Sequence, residues 1–160
     1  MTFAIAELAA PRGGTLGICP LPGRFGTALD DLAVLRAWQP DIVVSMTELA
    51  EMERHIVADL GGLLAQSGIG WAHFPIRDFG TPAFGAAWND LSARLHKVLD
   101  GGGRVLAHCY GGQGRSGMVL LGLMVERGMA ADAALAALRK VRPGAVETVA
   151  QQAWAKNTLK

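Results

Sequence analysis

The apolar residues of the chain fall into short blocks, some with the two-residue period of a strand and some with the 3.6-residue period of a helix. "FAIAEL" and "TLGICPLP" flank the turn-rich "AAPRGG" and are read as the arms of a hairpin. "TALDDLAVLRAW" carries an apolar stripe at helical spacing, with Thr27 placed to cap its N-terminus. "DIVVSM" is a β-branched run and is expected to form a strand. A helix is expected over about residues 53–66, stopping near Gly68. "WAHFPI" is the next strand. "FGAAWNDLSARLHKVL" then puts Phe84, Trp88, Leu91, Leu95 and Val98 on one helical face and ends at "GGG". "RVLAHC" reads as a short buried strand, followed by a glycine-rich loop and an apolar helix from about Ser116 to Arg127. "AADAALAALRKV" and "VETVAQQAWAKN" close the chain as two more helices.

Strands that alternate with helices, followed by helices alone, predict an α/β fold: a central, mostly parallel sheet flanked by helices. With 160 residues, 51% of them hydrophobic, and neither repeats nor a long linker, the chain is expected to form one domain over residues 1–160. The longest apolar run, "GMVLLGLMV", is too short for a membrane span. The N-terminal "MTFAIAELAAPRGG" has no basic residue before its apolar stretch and makes a poor signal peptide. A formal net charge of +1 argues against a nucleic-acid binder. The 2 cysteines show no metal spacing with the 4 histidines, so no metal is expected. So few cysteines do not suggest an oxidising compartment, and a soluble cytoplasmic protein is expected.

The chemistry is concentrated in "HCYGGQGRSG", residues 108–117. Gly112, Gly114 and Gly117 match the spacing of a dinucleotide fingerprint. That motif needs a later strand ending in an acidic residue about 20 positions on, and here only helices follow. A serine-nucleophile elbow needs a glycine two positions after Ser116, where Met118 stands. A nucleotide-type phosphate loop needs a lysine where Arg115 stands. A thiol ringed by a phosphate cradle accounts for every special residue. Cys109 ends a strand, and Tyr110, Gly111, Gly112, Gln113 and Gly114 curl back so that their amides converge on an anion. The N-terminus of the following helix adds its dipole. Arg115 is expected to grip the anion with a bidentate fork, and Ser116 to hydrogen-bond the sulfur. The same positive nest is expected to favour the thiolate. His108 is expected to orient the loop backbone rather than carry protons.

A thiolate that attacks a phosphate ester needs a proton donor for the departing oxygen. Asp78 follows the strand "WAHFPI", and a helix joins that strand to "RVLAHC". A right-handed βαβ unit brings both loops to the same sheet edge. "DFGTP" then forms a shaped loop that carries Asp78 into the cleft. Asp30, Asp31 and Asp90 lie in expected helices and read as solvated faces.

The H-C-x(5)-R-S pattern resembles the signature of the cysteine-based tyrosine and dual-specificity protein phosphatases, and "HCYGGQGRSG" looks most like the kinase-associated phosphatase group. "LGICPLPG", "FPIRDFGTP" and "GAVETVAQQ" agree in order, so the similarity spans about residues 15–155. The resemblance implies a protein-tyrosine-phosphatase-like fold, a phosphocysteine on Cys109, Asp78 as general acid and then base, and no metal or organic cofactor. It places Gln151 near the family's water-positioning segment; an ordinary helix-surface role stays open for Gln151 and Gln152. Glu147 stands where some tyrosine-specific relatives carry glutamine. Cys19 is open to two readings, a buried structural residue or a protective disulfide partner of Cys109. Arg24, Phe25, Arg77 and Phe79 are candidates for a substrate rim. The expected partner is a phosphorylated protein or peptide. A small-molecule or lipid phosphate is the alternative, disfavoured because residues 110–114 carry no charge, and an inactive phosphoprotein-binding module is a third reading.

Overall fold

The short apolar runs form a five-stranded sheet in the computed structural model, which describes residues 1–159. The strands are β1 (Ala6–Ala9), β2 (Thr15–Cys19), β3 (Ile42–Ser45), β4 (Gly70–His73) and β5 (Arg104–His108), ordered β1-β2-β5-β3-β4. β1 and β2 form the expected antiparallel hairpin, and β2, β5, β3 and β4 run parallel. The two-residue period sorts side chains between two cores. Leu16, Ile18, Ile42, Val44, Val105 and Ala107 pack with residues of α4 (Ala86–Asp100), α5 (Gly114–Glu126), α6 (Ala131–Val141) and α7 (Val149–Lys156). Cys19, Val43 and Leu106 face the other way, against α1 (Ala28–Trp38), α2 (Leu49–Arg54) and α3 (Leu60–Ala65). Among the described residues, no helix is long and apolar enough to cross a membrane.

Several boundaries differ from the sequence pattern. The helix expected over residues 53–66 is two pieces, α2 and α3. A capping box between Glu48 and Glu51 starts the first piece early, and the chain breaks after Arg54, where Ile56 adopts φ 59° and Val57 is fully buried. β4 ends at His73, although the amides of Phe74 and Ile76 still bond the carbonyls of Ser45 and Met46. Phe84 precedes α4 and stacks on Trp154 at 5.5 Å rather than joining the helix face. α7 begins at Val149, with Thr148 as its cap. Thr27 caps α1 as expected, its Oγ1 accepting from the Asp30 amide at 3.2 Å.

Cys19, His108, Ser45 and His73 close the four parallel strands in register. The loops that follow therefore all emerge at one edge. The chain crosses one face through α1, α2 and α3, then returns from β4 to the sheet centre through α4 on the opposite face. Reversals of this kind open a crevice at the carboxyl ends of the strands.

Candidate active site

That crevice is a cleft of about 520 Å³ lined by Cys109, the loop after it, Asp78, Phe79, Arg24, Phe25, Arg142 and Glu147. Cys109 follows β5 directly and is 3% exposed. Its sulfur lies 3.2 Å from Ser116 Oγ, the contact expected from the sequence. Residues 110–113 wrap around it before α5 begins at Gly114. Of the loop glycines only Gly112 has a positive φ, at 67°, and it sits directly on the Cys19–Pro20 backbone, where no Cβ fits. Gly114 is needed for a different reason: the Glu147 carboxylate rests against its Cα. The amides of residues 110–116 donate to no protein acceptor among the described residues. A row of free amides at the start of a 13-residue helix is an anion-binding nest.

Arg115 is 1% exposed, and its guanidinium already carries a carboxylate partner. Nη1 and Nη2 make a bidentate pair with the two Glu51 oxygens, each at 2.8 Å. Nη1 also donates to Ile76 O at 2.9 Å, and Nη2 lies 3.2 Å from Asp78 Oδ1. Nε is buried without a partner. Nε is thus the donor left for an anion, on the edge it shares with the Nη2 that Asp78 faces. Burial works against the Glu51 charge, but the Arg115 hydrogen bonds and the Glu48 amide outweigh it and hold that carboxyl below its usual range. Burial also opposes the Arg115 charge, while Glu51, Cys109 and Asp78 raise its pKa above the ordinary value. Glu51 is a residue of the candidate site that the sequence pattern missed; the signal available was its capping position soon after β3, which ends at the cleft edge of the sheet. Glu51→Ala strips the buried guanidinium of its bidentate partner and leaves it only the half-exposed Asp78 at 3.2 Å, so it is expected to cost roughly 3–5 kcal/mol of stability. Thermal unfolding checks this, and inorganic phosphate, an anion for the orphaned guanidinium, is expected to restore part of the loss. An unchanged melting temperature would remove Glu51 as the partner that sets Arg115.

Asp78 comes into the same cleft, its side chain half exposed. Its Oδ1 also accepts the Phe79 amide at 3.0 Å. Phe79 adopts φ 60°, an uncommon conformation for a large residue, and stands 61% exposed at the cleft mouth. Gln151 is not a helix-surface residue: it is fully buried. Its Oε1 accepts from the amides of Glu147 and Thr148, and its Nε2 donates to Gly80 O at 3.3 Å. It therefore ties the start of α7 to the loop bearing Asp78. Gln152 is half-buried. Burial, and then the Asp78 charge, push the Glu147 carboxyl up, with Arg115 offsetting part of this.

His108 is fully buried beneath the loop. Trp71 Nε1 donates to Ser45 Oγ at 2.8 Å, Ser45 Oγ lies 2.5 Å from His108 Nε2, and His108 Nδ1 lies 3.4 Å from Cys109 O. Each donor is used once if Ser45 donates to Nε2 and Nδ1–H donates to the carbonyl. This is a neutral imidazole holding the loop backbone. Burial lowers its pKa to about 4, from an ordinary 6.5. Between those values the unfolded chain binds a proton that the folded chain refuses, so stability falls as pH drops through that window. The loss from this residue is about 3 kcal/mol at its fullest. Chemical denaturation from pH 7 to 4 should give a shallower decline for His108→Gln than for the parent; parallel declines would show that His108 is not the acid-sensitive group.

The remaining candidates divide. Arg24 Nη1 donates to Tyr110 O at 3.1 Å, and its guanidinium lies over the Phe25 and Tyr110 rings, so all three belong to the rim. Arg77 is exposed and does not line the cleft. Asp31 is buried and accepts the Gly23 amide at 2.7 Å, shaping the rim loop rather than a solvated face; Asp30 and Asp90 are exposed. Cys19 is a fully buried unpaired thiol that burial, and then Cys109, push up. His55 lies 5.5 Å from the Tyr110 ring, His73 reaches Thr47 O, and His96 pairs with Glu126. No three His, Cys, Asp or Glu side chains gather as a metal site among the described residues.

A solved structure of kinase-associated phosphatase, with its catalytic-site cysteine replaced by serine, superimposes with a TM-score of 0.86 at 27% identity, covering 97% of this chain and 93% of that one. The active form of the phosphatase Tk-PTP gives a TM-score of 0.71 at 30% identity, covering 92% of each chain. Human DUSP28 shares the fold alone, at 20% identity and a TM-score of 0.64, covering 96% of this chain and 91% of that one. Fold and loop thus place the molecule in the phosphatase superfamily of the tyrosine and dual-specificity type. The family model described as "Cyclin-dependent kinase inhibitor 3 (CDKN3)" matches residues 12–134. The rat and human proteins named cyclin-dependent kinase inhibitor 3 are each 34% identical over 145 residues, 85% of this chain and 68% of theirs. The chain belongs to the cyclin-dependent kinase inhibitor 3 family.

Proposed function

We propose that the chain is a phosphoprotein phosphatase working through a phosphocysteine on Cys109. The observation that carries this reading is the nest itself: a thiol at the centre of unpartnered amides, with the free Nε edge of a buried arginine beside it. In the first step Cys109 Sγ attacks phosphorus in line, the ester P–O bond breaks, and Asp78 gives its proton to the departing oxygen. The loop amides and Arg115 carry the charge on the equatorial oxygens. In the second step water attacks the phosphocysteine, its proton passes to Asp78, and the P–S bond breaks. Ser116 Oγ, within hydrogen-bond reach of the sulfur, stabilises the thiolate as it leaves.

A protein substrate is supported by the rim and by the relatives' names. Phe25, Phe79 and Tyr110 offer aromatic surface, and residues 110–114 hold no lysine for a polyphosphorylated head group. The relatives are named for a cyclin-dependent kinase, and the solved relative is named kinase-associated. Both cysteines are free thiols, which suits the cytoplasm. The test is turnover of phosphotyrosine and phosphothreonine peptides beside inositol phosphates, with chelator present. Peptide dephosphorylation unaffected by chelator is the expected result. Activity confined to inositol phosphates, or activity lost to chelator and restored by a metal, would overturn the reading.

A further inference from the structure

In a trans peptide the N–H points away from the C=O of the same plane. A loop carbonyl held outward therefore turns the next residue's amide inward. Tyr110 O is held by the Leu21 amide and Arg24 Nη1. Gln113 O is held by the amides of Val146 and Gly117. The two carbonyls between them share a single side chain: Arg142 Nη2 donates to Gly111 O and Arg142 Nε to Gly112 O, both at 2.8 Å.

We propose that Arg142 is the positioning residue of the anion nest, its planar fork setting the two peptide planes that aim the Gly112 and Gln113 amides at the phosphate. The proposal rests on the phosphatase reading and deepens it. A guanidinium fits because its donors lie in one plane at fixed spacing and can serve two consecutive carbonyls together. An ammonium would hold one firmly. Arg142 forms no salt bridge among the described residues, so its charge is left to the loop. The chain around it is built as a brace. Arg142 caps α6, and Arg139, one turn earlier, fastens the connection to α7 through Ala145 O and Val146 O. Val146 adopts φ 64° in doing so, and its amide reaches back to Gln113 O at 3.1 Å. Two outward carbonyls without a donor would be free to turn, and an inward carbonyl would repel the anion it should help bind.

The test is binding of inorganic phosphate and vanadate by the full chain, followed by calorimetry and by amide NMR. Arg142→Ala is expected to weaken both anions roughly 10- to 100-fold, the scale of a lost charge-assisted hydrogen bond. The Gly112 and Gln113 amide protons should lose the downfield shift that phosphate induces in the parent. Arg142→Lys should fall between the two, and methylguanidinium should restore part of the binding to Arg142→Ala. If Arg142→Ala does not fold, the intermediate affinity and shifts of Arg142→Lys carry the decision. Parent-like affinity and amide shifts in a folded variant would overturn the proposal, even if its melting temperature fell. A parent that binds neither anion would bring down the phosphatase reading and this proposal with it.

Discussion

Replacing Cys109 with serine is expected to reduce turnover to background while inorganic phosphate still binds. The nucleophile in this mechanism is a thiolate, and a serine hydroxyl does not ionise near neutral pH. Among the described residues the side-chain contact of Cys109, at 3.2 Å, is another hydroxyl, Ser116, and His108 is turned away to Ser45 and the Cys109 carbonyl, so no imidazole stands against the serine to activate it. The groups that hold an anion do not involve the sulfur. The free amides, the Arg115 Nε edge and the Arg142 brace all survive the change. Steady-state turnover of an aryl phosphate and calorimetric phosphate binding, measured on the same variant, separate the two properties. Appreciable turnover in Cys109→Ser would end the thiol mechanism. Loss of phosphate binding together with turnover would mean that the sulfur shapes the nest, and the amides alone would no longer explain anion capture.

The candidate phosphate-binding loop was legible because its special residues are ten in a row, and contiguity is what a sequence reports best. The strands were legible because short β-branched runs leave few alternatives, and their order then brought Asp78 to the right edge. What stayed hidden depends on partners distant along the chain. Glu51 pairs with Arg115, 64 residues away, and no local pattern marks it as more than a capping residue. Arg142 lies just past the helical run "AADAALAALRKV", and nothing in that pattern sets it against the loop carbonyls. Asp31 sits on the same turn as the solvated Asp30, yet it faces inward to the Gly23 amide. The division of residues 53–66 into two helices has the same origin: burial of Val57 fixes the chain where periodicity would have carried the helix through. That Arg115 carries a carboxylate partner as well as facing the loop was not legible for the same reason.

Asp78→Asn is expected to slow phosphate-ester cleavage by roughly 10²–10⁴-fold, the usual contribution of a positioned acid. The substitution suits the question because the structure gives Asp78 Oδ1 two tasks that an amide oxygen can still perform. It accepts the Phe79 amide at 3.0 Å, and it faces Arg115 Nη2 at 3.2 Å. The loop around Phe79 and Gly80 is held independently by Gln151 Nε2 on Gly80 O and by the Gly80 amide on Arg77 O. The variant should keep its loop in place and lose only the transferable proton. The defect should then follow the leaving group. An alkoxide, as from phosphoserine or phosphothreonine, leaves poorly without a proton and should suffer most. An activated aryl oxide needs little help and should suffer least. A series of phosphate esters with graded leaving groups makes the comparison. An equal defect across the series would make Asp78 a structural partner of Arg115, and the search for the acid would move to Glu147, the other carboxylate in the cleft.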